Sequence, residues 1–499
     1  MPTAWHYSSA VRTSVVFFGI AVVCLAFADI AVTTVHPWIE MGRLAIGIVT
    51  PDFFATDSTF YALLITVCFA LVGVAVGNVF GFGLALIFHL RVVQVGCAFV
   101  RAIHELFWAL IFLQIFGLSP LTGVLAIAIP YSGIIAKVYA EILEEADRTP
   151  LNAVPTGSGR ASVFLFVRLP DVWSHFKTYS MYRLECGLRS SAVLGFVGLP
   201  TIGYYLETAF RQGQYSEASA LLILFYIVIA TMRVWMQKRL LPLYLLAAVL
   251  LLPWGSADIQ LSNLVRFVTQ DIVPQPLRAA EAIDGTALAA FGEWLKLLMV
   301  DQALPGAIET LQLTMIALVA TGFLSLLFFP LISPLMFNRP TRLTGHVFLV
   351  IARSTPEYIL AYICLMLWGP SMLPAIVALS LHNGAIIAHL VGRYTEEMRV
   401  RIDAPRGLNL YFYELVPRIY GQMLAFLFYR WEVILRETAI LGMLGIATLG
   451  FYVDSAFADI RYDRALVLIL ITAMLNIGID MLSRAIRARL RLKTTIEHG

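Results

Sequence analysis

Two stretches of this chain are nearly the same sequence. One reads YRLECGLRSSAVLGFVG from Tyr182 and the other reads YRWEVILRETAILGMLG from Tyr429. The shared residues recur 247 positions later: Arg183, Glu185, Arg189, Gly195 and Gly198 as Arg430, Glu432, Arg436, Gly442 and Gly445. A match at a constant offset indicates an internal duplication. Each copy opens an apolar run with ionisable groups, which membranes tolerate mainly where the groups face a cavity or a partner. The sequence therefore predicts a membrane pore made of two fused halves.

Composition supports a polytopic membrane protein. The 499 residues are 60% hydrophobic and only 13% charged, whereas soluble proteins have about 25% charged residues. The net charge of +3 does not indicate a nucleic-acid partner. The five cysteines lack CxxC spacing, so neither disulfides nor a metal site are predicted. No nucleotide-binding loop, HExxH or GxSxG motif occurs, so the chain is expected to be neither an enzyme nor the binder of a cofactor.

Apolar runs predict the membrane spans, because a spanning helix needs roughly 20 such residues. They indicate an all-α protein of about twelve transmembrane helices in two parallel six-helix repeats. The repeats are expected at 1–239 (core about 59–237) and 240–499 (core about 304–486). The predicted spans are Thr13–Val35, Phe60–Phe88, Gly96–Phe116, Leu121–Tyr139, Tyr179–Phe210, Glu217–Trp235, Leu240–Trp254, Ile308–Leu331, Gly345–Leu367, Ser371–Val391, Gly421–Val453 and Asp463–Ile486.

Three further features follow from this arrangement. The first span is expected to be a retained anchor rather than a cleaved signal, because the run from Leu240 is its internal counterpart. The fifth span of each half is too long for one crossing, so its glycine-rich end should break. Lys and Arg collect on one side, which predicts that both termini and both long basic loops are cytoplasmic.

Ionisable residues also open the third span of each half. Arg101 and Glu105 recur as Arg353 and Glu357. Residues four apart share one helix face, so each pair is expected to interact. The alternatives of an ion pair at the membrane rim and a role in gating or the substrate path remain open.

The repeated charges of the fifth spans need partners on other helices. Arg183 and Glu185 are two apart and point to different sides of a helix, as do Arg430 and Glu432. Glu105 and Glu357 are candidate partners for the arginines. Structural clamps and groups of the permeation path are both compatible with this pattern.

The longest cytoplasmic loops share a layout. Each starts with acidic residues and ends in a proline before the fifth span, as in Glu144, Glu145, Ala146, Asp147 and Pro170, then Glu396, Glu397 and Pro417. A short helix across the membrane face would present such a surface to a soluble partner, whereas the simpler reading is a solvated loop.

The stretch RAIHELFWALIFLQIFGLSPLTGVLA, the loop from Lys137 and YRLECGLRSSAVLGFVG together resemble the membrane permease of phosphonate ABC importers, which has type I importer architecture. The resemblance is good over 59–235 and looser over 308–486. It implies a coupling helix over Glu145–Pro170, with Gly157 at a tight turn against the ATPase. The residue thirteen before Pro417 is Ala404, so the second copy is expected to couple less.

The resemblance also implies the partners. They are two cytoplasmic ABC ATPase subunits, which bind ATP and Mg, and an extracytoplasmic substrate-binding protein. The substrate would be phosphonate, phosphite or phosphate, carried across the bacterial inner membrane by alternating access between the halves. The alternative is a secondary transporter of a small anion driven by an ion gradient. The long loops after both fourth spans favour the ATP-driven system.

Overall fold

The computed structural model describes residues 9–34, 36–55, 58–147, 149–155, 157–254, 260–280, 284–398, 400 and 403–492. These residues are almost entirely helical, and no β-strand occurs among them. The first ten helices are α1 (Ser9–Phe27), α2 (Pro37–Val49), α3 (Thr59–Leu86), α4 (Arg91–Ala102), α5 (Glu105–Phe116), α6 (Pro120–Glu145), α7 (Arg160–Val163), α8 (Leu169–Val193), α9 (Ile202–Arg211) and α10 (Tyr215–Trp235).

The remaining helices follow in the second half of the chain. They are α11 (Leu241–Leu251), α12 (Leu261–Arg266), α13 (Gln275–Arg278), α14 (Gly285–Leu298), α15 (Leu304–Phe328), α16 (Arg339–Ser354), α17 (Glu357–Trp368), α18 (Met372–Glu397), α19 (Leu408–Leu410), α20 (Val416–Gly442), α21 (Leu449–Ala458) and α22 (Tyr462–Arg489). The predicted cytoplasmic ends of the chain include 1–8 and 493–499, which lie outside the described residues.

The all-α polytopic class is confirmed. By the criteria of helix length and composition, however, fewer helices can cross a membrane than the twelve predicted. Within the described residues, seven helices are long and apolar enough to cross a membrane, or nine if each of two bent pairs is one span. The other three predicted spans correspond to α8 with α9, to α11 and to α20 with α21. Helices α8 and α20 carry charged residues along their length, and α11 has only 11 residues.

The described chain forms two compact units whose boundaries differ from the predicted repeats. One unit comprises Met1–Gly42 with Ile272–Gly499, and the other comprises Arg43–Asp271. The first helix of each predicted repeat packs on the bundle of the other repeat, because α1 contacts α15 and α11 contacts α3. The repeat boundaries at 239 and 240 therefore do not separate the two units, and they stay a prediction about the duplication.

Close helix packing sets the centre of each unit. Helix α3 lies along α6 in one unit, and α15 lies along α18 in the other. Glycines spaced four apart on α3 make this approach possible: a Cβ added at Gly73, Gly77 or Gly81 would lie within about 3 Å of side-chain atoms of α6. Small residues in one stripe let membrane helices approach closely.

The fifth predicted spans break as the sequence indicates. Helix α8 ends at Val193, a 3-10 turn follows, and Gly198 adopts a left-handed φ of +88° before α9. The same turn joins α20 to α21, where Gly445 has a φ of +89°. A threonine hydroxyl accepts the first free N–H in both places: Thr66 from Ile202 and Thr310 from Leu449.

Candidate functional site

The third predicted span of each half is a broken helix. The axes of α4 and α5 differ by 91°, and those of α16 and α17 differ by 95°. Ile103 and His104 separate the first pair with extended backbone, and Thr355 and Pro356 separate the second. The expectation that the arginine and the glutamate of each motif share one helix face is therefore wrong. A proline disfavours helical backbone in the preceding residue, which accounts for the break at Thr355.

The break places Glu105 at the start of α5, where side chains of α6 and α8 gather around it. Ser190 on α8 donates its hydroxyl proton to Glu105 Oε1 over 2.6 Å. The Tyr131 hydroxyl of α6 lies 3.1 Å from Ser190 Oγ, so it donates to that oxygen. His104 Nδ1 accepts the backbone N–H of Leu106, so the ring proton lies on Nε2, 3.9 Å from Glu105 Oε2. In the first-half cluster, a hydroxyl relay from Tyr131 through Ser190 thus ends on the half-buried carboxylate of Glu105.

Arg183 lies among aromatic rings, one of which is that of Tyr131 in this cluster. Its Nε donates to the Tyr179 hydroxyl over 2.7 Å. Its guanidinium carbon lies 5.1 Å from the Tyr179 ring centre, 5.4 Å from that of Tyr182 and 5.9 Å from that of Tyr131. Arginine is attracted to aromatic faces at such distances. These contacts hold the Arg183 guanidinium between the aromatic rings.

The other repeated charges lie along the same two helices. Arg189 on α8 donates to Cys186 Sγ over 3.6 Å. Glu185 on α8, like Glu432 and Arg436 on α20, is partly buried. Arg430 differs from Arg183 because Phe426 stands where Tyr179 does in the first half. The buried Arg430 Nε accordingly has no hydrogen-bond partner among the described residues.

The second half has an equivalent cluster with different groups. Glu357 starts α17, and its Oε2 lies 3.7 Å from His382 Nε2 of α18. His382 Nδ1 is 2.9 Å from the Thr355 carbonyl oxygen. Asn383 Nδ2 donates to Glu437 Oε2 of α20 over 3.1 Å and to the Leu379 carbonyl over 3.0 Å. The ligand atoms of Glu357, His382 and Glu437 all lie within 4.8 Å of one another.

Position-by-position comparison relates the two clusters. Glu105 and Tyr131 correspond to Glu357 and Asn383 at an offset of 252 residues, and Ser190 corresponds to Glu437 at an offset of 247. The sequence analysis identified only the glutamates that open α5 and α17. The remaining members lie on other helices. The repeated motif itself aligns Ser190 with Glu437, whereas Tyr131 and Asn383 lie outside it.

The predicted coupling residues of the first half lie in the connection from α6 to α8. Gly157 has a φ of +101° with open space around it, and Asp147 Oδ1 accepts the backbone N–H of Thr149. Arg168 donates to the Leu143 carbonyl and so links the two ends of the connection. Glu144 and Glu145 end α6, Ala146 and Asp147 follow it, and Pro170 lies in the first turn of α8.

The second connection, from α18 to α20, differs in one respect from the prediction. Glu396 and Glu397 are exposed at the end of α18, and Pro417 lies in the first turn of α20. Ala404 has no left-handed backbone, but Gly407 has a φ of +63° directly before α19. A positive-φ glycine is therefore present in both connections. In the first it is Gly157, as predicted, and in the second it is Gly407, three residues after Ala404.

Broken apolar helices that hold buried ionisable groups are typical of membrane transport proteins. Comparison with characterised proteins gives the family. The chain is 25% identical over 417 residues to a phosphate-import permease protein of Mycolicibacterium smegmatis, covering 79% of this chain and 76% of the relative. It is 29% identical over 220 residues to a phosphite transport system permease protein of Stutzerimonas stutzeri, covering 42% and 80%.

A third relative is a putative cryptic phosphonate transport system permease protein of Escherichia coli, 30% identical over 115 residues, which cover 23% of this chain and 94% of the relative. No protein-family model and no solved structure matches the chain. The chain belongs to the family of phosphonate-type ABC importer permeases. It is a multi-pass membrane transport subunit and not an enzyme.

Proposed function

We propose that this chain forms the alternating-access path of an ATP-driven importer for a phosphorus oxyanion in the bacterial inner membrane. Its relatives are named for the import of phosphate, phosphite and phosphonate. Two cytoplasmic ABC ATPase subunits would bind ATP and Mg, and an extracytoplasmic binding protein would deliver the substrate. The observation that carries the proposal is the duplicated set of buried charges on α8 and α20 of a permease of this family.

Arginine side chains are well suited to bind a phosphorus oxyanion. A phosphorus oxyanion is negatively charged at neutral pH, and fixed positive groups must offset the loss of its hydration. The arginine fork donates to two oxygens at once. Arg189 and Arg436 lie about two turns further along their helices than Arg183 and Arg430. We assign Arg189 and Arg436 to the path, and Arg183, held by Tyr179, to structure.

Coupling to the ATPases would use the two connections before α8 and α20. Each begins with exposed acidic residues and contains one glycine with positive φ, Gly157 or Gly407. Such a glycine allows a sharp change of chain direction that other residues rarely adopt. Both connections are therefore proposed to dock on an ATPase, which replaces the expectation that the second copy is degenerate.

Transport per folded complex tests the assignment of the arginines. Arg189→Gln or Arg436→Gln should reduce uptake of labelled phosphate, phosphite or methylphosphonate at least tenfold, while the ATPase still co-purifies. Arg183→Gln should instead reduce the amount of folded protein, because Tyr179 loses its charged partner. Unchanged specific uptake in both Arg189→Gln and Arg436→Gln would remove these residues from the path.

A further inference from the structure

The equivalent clusters of the two halves differ in how their carboxylates are satisfied. In the first half, Ser190 donates to Glu105, and the proton of His104 lies on the ring nitrogen nearest that carboxylate. In the second half, Glu437 replaces the serine and adds a second carboxylate. A hydroxyl donor has therefore been exchanged for a negative charge at one position of a buried site.

The histidine of the second cluster has its proton on the opposite side. The Thr355 carbonyl can only accept, so His382 Nδ1 must carry a proton and donate to it over 2.9 Å. In the neutral ring, Nε2 then carries the lone pair and lies 3.7 Å from Glu357 Oε2. A backbone partner at one ring nitrogen is the usual arrangement of a histidine whose other nitrogen binds a metal.

Asn383 provides an independent observation. The side chain is fully buried, and its amide nitrogen donates to two acceptors, Leu379 O and Glu437 Oε2. These contacts fix which amide atom is the nitrogen. The Asn383 Oδ1 has no hydrogen-bond partner among the described residues. A buried amide oxygen without a donor costs about 1–3 kcal/mol. Because the same amide contacts the Glu437 carboxylate through its nitrogen, the unsatisfied oxygen points to a bound cation.

We infer that Glu357, His382 and Glu437 form a binding site for one divalent transition-metal ion. Their ligand atoms lie within 4.8 Å of one another, and two ligands each about 2.1 Å from a tetrahedral ion are separated by about 3.4 Å. One imidazole and two carboxylates are a ligand set that suits zinc, manganese or iron. Asn383 contacts Glu437 of this set through its amide nitrogen and carries the unsatisfied Oδ1. The first-half cluster has one carboxylate and does not bind the ion.

A proton on His382 Nε2 is the competing explanation, in which an imidazolium pairs with Glu357. A direct hydrogen bond between these atoms requires about 2.7–3.2 Å, and the separation is 3.7 Å. This separation favours a metal ion over a proton.

The test uses the full chain in lipid nanodiscs, freed of metal by a chelator. Titration with Mn²⁺ and with Zn²⁺, followed by desalting and elemental analysis, should give one retained ion per chain. Glu437→Ser restores the residue type of the first half and should weaken binding at least tenfold, as should His382→Gln. The matched controls Ser190→Ala and Glu105→Gln should retain the ion with unchanged affinity.

A second measurement needs no variant. Pulsed electron paramagnetic resonance of the Mn²⁺-loaded wild-type protein should show coupling to one imidazole nitrogen, that of His382. Absence of a retained ion, absence of nitrogen coupling, or equal binding in folded Glu437→Ser protein would each overturn the inference. Both experiments measure metal binding and not transport. Failure of the metal-site inference is therefore distinguishable from failure of the proposed import function.

Discussion

One methyl group added at Gly442 should strongly disrupt the packing of α20 against α21. A Cβ there would lie 2.1 Å from the backbone nitrogen of Phe451 and 2.4 Å from the carbonyl carbon of Gly450. Ordinary Cβ contacts begin near 3.4 Å, so α21 would have to move by more than 1 Å relative to α20. Both neighbours are backbone atoms and cannot rotate away.

The cost follows from this displacement. Overpacking usually costs 1–3 kcal/mol, with larger values where the surroundings cannot relax. The shift would also strain the hydrogen bond from Leu449 N–H to Thr310. We expect Gly442→Ala to lower the free energy of unfolding by about 3 kcal/mol or more. Gly195→Ala should behave alike, because its Cβ would lie 2.1 Å from Tyr204 N.

The assay is the fraction of protein that stays monodisperse after heating in detergent. Gly478→Ala is the matched control, because Gly478 lies inside α22 with no atom within 4 Å of an added Cβ. That control should be neutral or gain up to about 1 kcal/mol from helix propensity. Equal thermal midpoints for Gly442→Ala and Gly478→Ala would refute the packing argument.

Two other predictions concern coupling and orientation. Gly157→Val and Gly407→Val force a side chain into a positive φ, which costs about 1–3 kcal/mol locally, and should lower ATPase co-purification or uncouple hydrolysis from uptake. Ala404→Val should leave both unchanged, and an Ala404→Val effect as large as that of Gly407→Val would contradict the assignment. In a cysteine-free background, a cysteine at Ser158 should react only with membrane-permeant reagents, whereas one at Ser262 should react with an impermeant reagent outside. Labelling of position 158 from outside would reverse the proposed orientation.

Local chemistry explains what the sequence could predict. Long apolar runs with few charges gave correct positions for α3, α6, α15, α18 and α22, because a membrane helix satisfies its own backbone hydrogen bonds. The broken fifth spans were predictable from excess length and repeated glycines. The break of the third span had a local signal in one half only, at Pro356. In the first half the same break is made by His104, whose side chain caps α5.

Contacts between distant segments explain what the sequence missed. Nothing in the α1 sequence indicates that it packs on α15, about 290 residues later. The clusters around Glu105 and Glu357 assemble from three helices each, so no fixed spacing marks them. Glu437 was overlooked because the aligned residue of the first half is Ser190, so this acid is not one of the repeated charges. Gly407 was missed because the second connection is five residues shorter than the first.

Energised uptake is the most direct test of the central claim that this chain is the path of an ATP-driven importer. Proteoliposomes containing the chain with its ATPase and binding protein would be given labelled phosphate, phosphite or methylphosphonate, with ATP supplied to the nucleotide-binding side. We predict uptake of at least one of these oxyanions that requires ATP hydrolysis and persists when ionophores collapse all ion gradients. Uptake that proceeds without ATP and stops when the gradients collapse would contradict the account and identify a gradient-driven carrier.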